Sequence, residues 1–220
     1  MLEIREEDGH RLLRLRNPWG NVEWKGDWSD NSSKWTARMK SRLSWVSRDD
    51  GIFWMCLDDF IVHFASLYVC KLPAPGWHET IARSRWLGPT AGGCSNHRFT
   101  WPNNPTFRLT IRKPTHVLVA LAQDDNRGAE RSEPFAIGVS LMHGVRNAKV
   151  QGADTGAFSP VREVSFDAKL ELRGGGKTEY VLRPSTFNPG EEVGFSLRVY
   201  SDQPVELAQK SGAGGSWELF

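Results

Sequence analysis

The second half of the chain contains a series of short runs in which apolar and polar residues alternate. Alternation with a period of two places every second side chain on one face of a β-strand. Turn-forming clusters such as Gly174-Gly175-Gly176 and Asn188-Pro189-Gly190 separate the runs, and no helical pattern lies between them. The predicted strands cover residues 107–111, 117–121, 135–141, 164–170, 180–182, 195–199 and 205–207. Strands of this kind joined by glycine and proline turns predict an all-β antiparallel sandwich.

The first residues of the chain predict a β-hairpin. Asp8-Gly9 is a strong two-residue turn signal, and it lies between two short alternating runs. If the two residues that flank the turn face each other, Ile4 lies opposite Leu13 and Leu2 lies opposite Leu15. All four apolar side chains then share one face, so the hydrophobic pattern and the turn specify the same register.

The rest of the first region predicts two helices and one further strand. A short helix is expected near residues 35–43, and apolar residues at helical spacing predict a second helix over 57–64. Residues 68–72 are predicted to form a strand, and Pro73-Ala74-Pro75-Gly76 is the predicted domain boundary. The expected organisation is an α+β region at 1–74, the sandwich at 75–211 and a flexible, glycine-rich tail at 212–220.

Composition and charge narrow the classes of function. Hydrophobic residues make up 39% of the chain, and no apolar run approaches the roughly 18 residues of a membrane-spanning helix. A formal net charge of +2 is too small to attract nucleic acid through bulk electrostatics. The acidic start differs from a signal peptide, so a cytoplasmic setting is expected. Three cysteines at irregular spacing predict reduced, mostly buried thiols rather than a zinc site.

Several motifs occur in a fixed order along the chain. Asn17-Pro18-Trp19-Gly20 follows an alternating strand and resembles the asparagine segment of papain-like cysteine proteases. The other blocks narrow the resemblance to calpains, and they lie at residues 23–30, 50–55, 90–94, 104–107 and 184–192. Residues 61–70 are most similar to the plant and algal type, which carries a large membrane-anchored N-terminal region. The resemblance implies a truncated α+β protease subdomain followed by the calpain β-sandwich domain III.

The resemblance also implies an activity, namely calcium-dependent cleavage of protein substrates at limited sites. A cysteine protease needs a thiolate, an imidazole and a group that orients the imidazole. By resemblance, Asn17 is the orienting group, and Trp19 shields it from water. Papain-like enzymes carry these groups in the order Cys, His, Asn. Cys56, Cys70 and Cys94 all follow Asn17, so none of them occupies the place of the nucleophile.

His10 is the one histidine that precedes Asn17, and it is too far along the strand to bind it. An extended strand rises about 3.3 Å per residue, which separates the two residues by roughly 23 Å. The chain is therefore expected to lack both the nucleophile and the catalytic histidine, and to be inactive alone. The hairpin register places the missing imidazole upstream of Met1. An alternative for Asn17 is a purely local turn, because asparagine before proline often forms one.

A calcium site is a second implication of the resemblance. The matching acids are Glu23, Asp30 and Asp50, together with backbone oxygens near Arg48, and calcium takes six to eight oxygen ligands. Ile52 stands where many relatives have a glutamate, so the site is expected to be weak. The alternative is that Asp30 caps the following helix and that the other two acids are solvated.

The predicted sandwich has its own candidate surfaces. Asp124-Asp125-Asn126 and Glu191-Glu192 are compatible with calcium or an acidic phospholipid partner, although solvated loops are the alternative. Arg83-Ser84-Arg85-Trp86 is either a recognition patch or a segment with a buried tryptophan. Two functions follow from the sequence: part of a calpain-type endopeptidase, or a non-catalytic module that binds calcium or phospholipid.

Overall fold

The computed structural model describes residues 1–20, 22–125, 133–143, 148–210 and 216–220. The chain divides into two compact units, Met1–Cys70 and Lys71–Phe220, a few residues before the boundary predicted from the proline-rich segment. The first unit contains a three-stranded antiparallel sheet in the order β1-β2-β3. Its strands are β1 (Glu3–Glu7), β2 (His10–Arg16) and β3 (Ile52–Cys56).

The hairpin between β1 and β2 has the predicted register. Glu7 pairs with His10, and Ile4 pairs with Leu13. Asp8 and Gly9 have positive φ values of 49° and 77°, as a type I′ turn requires. This turn suits a hairpin because its twist matches the right-handed twist of the two strands.

Two short helices pack on this sheet unit. Helix α1 spans Ala37–Arg42, and the hydroxyl of Thr36 caps it by accepting from Met39 N at 3.1 Å. Helix α2 spans Leu57–His63, and Phe60 is its buried residue. Both helices lie within the predicted ranges. Thr36, not Asp30, is the cap of α1, so the alternative explanation proposed for Asp30 is wrong.

Each face of the three-stranded sheet contributes to a separate hydrophobic cluster. One cluster is rich in tryptophan and contains Leu12, Trp28, Trp35, Met39, Leu43 and Trp54. The other contains Leu13, Leu15, Phe53, Met55 and Phe60. Strand β3 was not predicted, because a continuous apolar run that supplies side chains to both faces shows no alternation.

The cluster that contains Leu13 and Leu15 is open to solvent beside strand β1. Leu13 and Leu15 of β2 are buried, but Ile4 of β1 is 67% exposed and Leu2 is 53% exposed. The prediction that the four apolar residues share a face therefore holds for the register, whereas half of that set contacts solvent. The sheet thus presents an apolar surface beside β1.

The second unit is an antiparallel β-sandwich, which confirms the predicted fold class. One sheet has the order β13-β12-β5-β10-β7-β8, and the other has the order β4-β11-β6-β9. The strands are β4 (His78–Trp86), β5 (Phe107–Ile111), β6 (Thr115–Gln123), β7 (Ile137–His143), β8 (Ala148–Asp154), β9 (Glu163–Leu170), β10 (Thr178–Thr186), β11 (Val193–Ser201), β12 (Glu206–Lys210) and β13 (Trp217–Leu219).

Inward-facing residues of both sheets form the sandwich core. Trp86, Phe107 and Phe195 are fully or almost fully buried there. Trp86 packs on Phe195 with ring centroids 4.2 Å apart and donates to Pro184 O at 3.3 Å. The burial of Trp86 agrees with the explanation that the run 83–86 belongs to the core rather than to a surface patch.

Two segments differ from the sequence-based expectations. Residues 68–72 do not form a strand, and the side chains of Tyr68 and Leu72 are more than four-fifths exposed. Trp217–Leu219 pairs with β12 instead of belonging to a flexible tail, while residues 211–215 lie outside the described part of the chain. The strand at 68–72 was predicted from composition alone, and no strand in the described part of the chain pairs with this segment.

Candidate active site and acidic loop

Asn17 lies immediately after the last residue of β2. Its backbone N–H donates to Gly51 O at 2.8 Å, which extends the β2-β3 ladder by one bond beyond the Arg16–Ile52 pair. Gly20 N donates in turn to Asn17 O at 3.1 Å, so the Asn-Pro-Trp-Gly segment closes as a turn. The motif therefore begins where regular sheet pairing ends, and its first residue is anchored through the backbone.

The carboxamide of Asn17 is oriented by two hydrogen bonds. Its Nδ2 donates to Val22 O at 2.8 Å, and its Oδ1 accepts from Trp19 N at 3.1 Å. A carbonyl can only accept and a backbone N–H can only donate, so these partners fix which end of the carboxamide is oxygen. Asn17 thus has the local turn role that the sequence left open, and Oδ1 keeps a second lone pair for another donor.

Trp19 follows Asn17 on the same turn, and its ring is 81% exposed. An indole in this position is free to lie over a group that binds Asn17. The shielding role implied by the resemblance remains a prediction for this residue, because it concerns an imidazole.

A cavity of about 500 Å³ lies beside Asn17 within the first unit. Its apolar wall includes Leu15, Phe53, Met55 and Phe60, which belong to the same hydrophobic cluster as Leu13. His63 also borders this cavity, and its ring lies 4.9 Å from that of Trp24. The carboxamide of Asn17 is therefore next to a mainly apolar space.

The three cysteines are free thiols in different surroundings. Cys94 is buried and Cys56 is partly buried, but the prediction of a buried thiol is wrong for Cys70, which lies exposed in a segment without helix or strand. Burial raises the pKa of the Cys56 thiol, and the neighbouring Asp59 carboxylate acts in the same direction. Cys56 Sγ lies 3.1 Å from Asp59 Oδ2. A thiol that donates to a carboxylate is held in its neutral form, unlike an activated nucleophile.

We expect Cys56 to be alkylated more slowly than Cys70 at pH 7. The thiolate is the reactive form, and the raised pKa of Cys56 lowers its thiolate fraction. Iodoacetamide labelling followed by peptide mass spectrometry measures both rates in one sample, and Asp59→Asn should speed labelling of Cys56. Equal rates for the two cysteines would contradict the expectation.

The three acids of the predicted calcium site all lie near one loop. Glu23 Oε1 accepts from Gly51 N at 2.8 Å and from Asp50 N at 3.1 Å. Asp30 Oδ2 accepts from Arg48 N at 2.9 Å. Asp50 is exposed, and its Oδ1 accepts from Ile52 N at 3.0 Å. The acids therefore hold the 48–52 loop by its backbone amides.

Only two of the three acids predicted to bind calcium line the same cavity. Glu23 and Asp30 line a cavity of about 520 Å³ together with Arg48, whereas Asp50 does not line it. Within the described ranges, no three His, Cys, Asp or Glu side chains are grouped so as to hold a metal ion. Two carboxylates and nearby backbone oxygens fit the oxygen-rich chemistry of calcium, but they supply fewer ligands than the ion usually takes.

The acidic residues of the sandwich take part in local bonds. Asp125 Oδ2 accepts from Arg162 at 3.0 Å, and Glu192 Oε1 accepts from Gly88 N at 2.7 Å. Glu191 accepts from the backbone and side chain of Asn188 at 3.0 and 2.9 Å. Asn126 lies outside the described residues. These contacts agree with a structural role for the acids and do not favour the non-catalytic module.

Two regions of the chain match the sequence patterns of known protein families. The sequence pattern described as "Calpain family cysteine protease" matches residues 2–71, and that of "Calpain large subunit, domain III" matches residues 82–200. The first match is to a cysteine protease and corresponds to the first unit to within one residue at each end. The second match covers more than half of the chain, and the chain belongs to the calpain family.

Similar proteins occur in plants and in mammals. The chain is 36% identical to the calpain-type cysteine protease ADL1 of Oryza sativa subsp. japonica over 94% of its own length and 10% of that protein. It is 35% identical to the calpain-type cysteine protease DEK1 of Zea mays, with the same coverage. It is 34% identical to calpain-9 of Homo sapiens, covering 91% of this chain and 33% of calpain-9. The chain therefore spans a minor part of each relative.

In the portion of the chain that the structure describes, neither α1 nor α2 has the length and apolar character needed to cross a bilayer.

Proposed function

We propose that the first unit supplies the imidazole-orienting asparagine of a calpain-type cysteine endopeptidase that acts on protein substrates. The observation that carries this proposal is the carboxamide of Asn17, which is fixed by Val22 O and Trp19 N beside the apolar cavity. One lone pair of Oδ1 is left to accept from an imidazole N–H. An acceptor held in this way sets the ring orientation of a catalytic histidine.

In this proposal the thiol and the imidazole are not among the residues of this chain. The imidazole takes the proton of the thiol, the resulting thiolate attacks the peptide carbonyl, and the imidazolium gives the proton to the leaving amine. Asn17 takes no proton in these steps, because it acts by hydrogen bonding alone. The chain by itself is expected to be inactive, since its cysteines do not precede Asn17 and Cys56 is held as a neutral thiol.

A fusion tests this proposal. The chain is joined behind the cysteine- and histidine-bearing part of a calpain catalytic domain, and hydrolysis of a fluorogenic peptide is measured for the fusion and for the chain alone. Activity is expected only in the fusion. Hydrolysis by the chain alone, or specific labelling of it by a cysteine-protease probe, would overturn the proposal.

We also propose a weak calcium site at Glu23 and Asp30, without Asp50, which does not line their cavity. Calcium bound here would regulate the protease. Its affinity depends on the number and charge of the ligands. The two acids lining one cavity support the site, and Ile52 in place of an acid weakens it. Glu23 also accepts hydrogen bonds from the backbone of Asp50 and Gly51, so the same carboxylate would bind the ion and the loop.

Calcium titration of the chain is expected to give a dissociation constant of about 10⁻⁴–10⁻³ M. Asp30→Asn should weaken binding at least about tenfold, because the cavity loses one charged oxygen ligand. Asp27→Asn is the matched control, since Asp27 forms an ion pair with Lys34 and does not line the cavity. Isothermal titration calorimetry measures all three proteins, and identical titrations would contradict the site.

A cytoplasmic setting is proposed on the state of the thiols. All three cysteines are free, and Cys70 is exposed. Free, exposed thiols are typical of reducing compartments.

A further inference from the structure

We propose that Gly51 and Glu23 are positioning residues for Asn17, and that Glu23 acts on Asn17 through the backbone of Gly51. This inference rests on the proposed function of Asn17 as the imidazole-orienting group. Neither Gly51 nor Glu23 contacts the reacting atoms in this proposal. They determine where the backbone of Asn17 lies, and the backbone determines where its carboxamide points.

The first step is the hydrogen bond between Asn17 and Gly51. Asn17 N donates to Gly51 O at 2.8 Å, one residue beyond the last pair of the β2-β3 ladder. Because Asn17 lies outside the regular ladder, this bond decides the direction in which the chain leaves the sheet. A change in the position of the Gly51 carbonyl would therefore be transmitted to Asn17.

The second step is the space at Gly51, where only glycine fits. Gly51 is buried with a φ of 79°, a conformation that other residues adopt at a cost. A Cβ atom at this position would lie 2.8 Å from Asn17 O and 2.9 Å from Gly20 Cα. Both contacts are with backbone atoms of the Asn-Pro-Trp-Gly turn. A side chain at residue 51 would therefore displace the turn that carries Asn17.

The third step is the carboxylate of Glu23, which binds the N–H of Gly51, whereas Asn17 binds its carbonyl. Its Oε1 accepts from two consecutive backbone amides, Asp50 N at 3.1 Å and Gly51 N at 2.8 Å. Hydrogen bonds to a charged acceptor are roughly twice as strong as neutral ones. Glu23 is partly buried, which reduces competition from water. The peptide units on both sides of Gly51 are thus fixed, by Glu23 and by Asn17.

The contact sequence is therefore Glu23 carboxylate, Gly51 backbone, Asn17 backbone and Asn17 carboxamide. A misplacement of about 1 Å in a catalytic group can lower a rate by about a hundredfold. Positioning of this kind has a direct readout in the chain itself, since the Asn17 carboxamide has its own proton and nitrogen resonances.

NMR spectroscopy of the chain in calcium-free buffer with chelator tests the proposal. Gly51→Ala is expected to shift the ¹H–¹⁵N signals of the Asn17 carboxamide and to speed exchange of its backbone amide at least about tenfold, the equivalent of about 1.4 kcal/mol. Gly9→Ala is the matched control. Gly9 has a similar φ of 77°, and a Cβ atom there meets nothing within 4 Å. The control variant should leave both Asn17 signals unchanged.

A pair of substitutions at Glu23 keeps the test valid if Gly51→Ala fails to fold. Glu23→Ala removes the acceptor and should shift the Asn17 carboxamide signals, whereas Glu23→Gln retains an oxygen acceptor and should restore them in large part. Unchanged Asn17 signals in Glu23→Ala, or equal shifts in the two Glu23 variants, would overturn the proposal. The proposed catalytic role of Asn17 is judged separately by activity, so the two inferences can fail independently.

Discussion

Asn17→Ala is expected to lower kcat/KM of the fusion protease by about 10²-fold or more, the range found when a proton-transfer group loses its orienting partner. The loss should appear in kcat rather than in KM, because Asn17 orients an imidazole and is not proposed to bind the peptide. The structural basis is the carboxamide fixed by Val22 O and Trp19 N. Steady-state hydrolysis of a fluorogenic peptide provides both constants.

Ser33→Ala is the matched control for this substitution. Ser33 is an exposed loop residue in the same unit, it lines neither the cavity beside Asn17 nor the one that Glu23 and Asp30 share, and the resemblance assigns it no catalytic role. The control should retain the kcat/KM of the unmodified fusion within about twofold, as surface changes away from a site commonly do. If Asn17→Ala retained as much activity as Ser33→Ala, Asn17 would be only a turn residue.

Trp86→Ala is expected to destabilise the β-sandwich by about 3–5 kcal/mol, the usual cost of removing a large buried aromatic side chain. Trp86 has no exposed surface, packs on Phe195 with ring centroids 4.2 Å apart and donates to Pro184 O. Its removal leaves a cavity and an unsatisfied carbonyl acceptor. Urea unfolding followed by circular dichroism measures the change in the free energy of unfolding.

Leu87→Ala tests whether this effect is specific to the core. Leu87 is adjacent in sequence, but its side chain is 51% exposed. Its loss should cost less than about 1 kcal/mol, since little apolar surface returns to water. Similar unfolding midpoints for the two variants would show that Trp86 is not a core residue.

The parts of the fold that the sequence predicts well are those with a local cause. The hairpin register follows from Asp8-Gly9, whose two positive φ values make the turn, and from alternating residues on both sides. The sandwich strands β5, β6, β7, β9, β10, β11 and β12 were predicted from the apolar residues that alternate along them. Helix α2 was predicted from apolar spacing that places Phe60 in the core.

The strands that the sequence did not predict have no alternation to detect. In β3, three consecutive residues, Phe53, Trp54 and Met55, are buried because both faces of the sheet are covered. In β4, an edge strand, the inward positions include the small residue Ala82 among charged neighbours. Residues 68–72 are apolar apart from Lys71, but no strand among the described residues pairs with them, and apolar composition without pairing does not make a strand.

In the candidate site, too, the residues in local motifs were predicted and the contacts between distant residues were not. The Asn-Pro-Trp-Gly motif identified Asn17 and Trp19, and the acids were identified from neighbouring blocks. The contact of Gly51 with the Asn17 turn joins residues far apart in sequence, and no periodicity encodes it. A glycine directly before β3 is the one signal that could have indicated it, because a buried positive φ at a strand's start usually requires glycine.

The apolar wall beside Asn17 has an electrostatic consequence. Leu15, Phe53 and Phe60 line the same cavity as Asn17, and the proposed imidazole would bond to Asn17 Oδ1 beside them. In a medium of low permittivity that bond is stronger than in water. The same medium penalises an ionised group far more than a neutral amide. A neutral carboxamide can therefore fix a ring beside these side chains without the desolvation cost that an aspartate would carry.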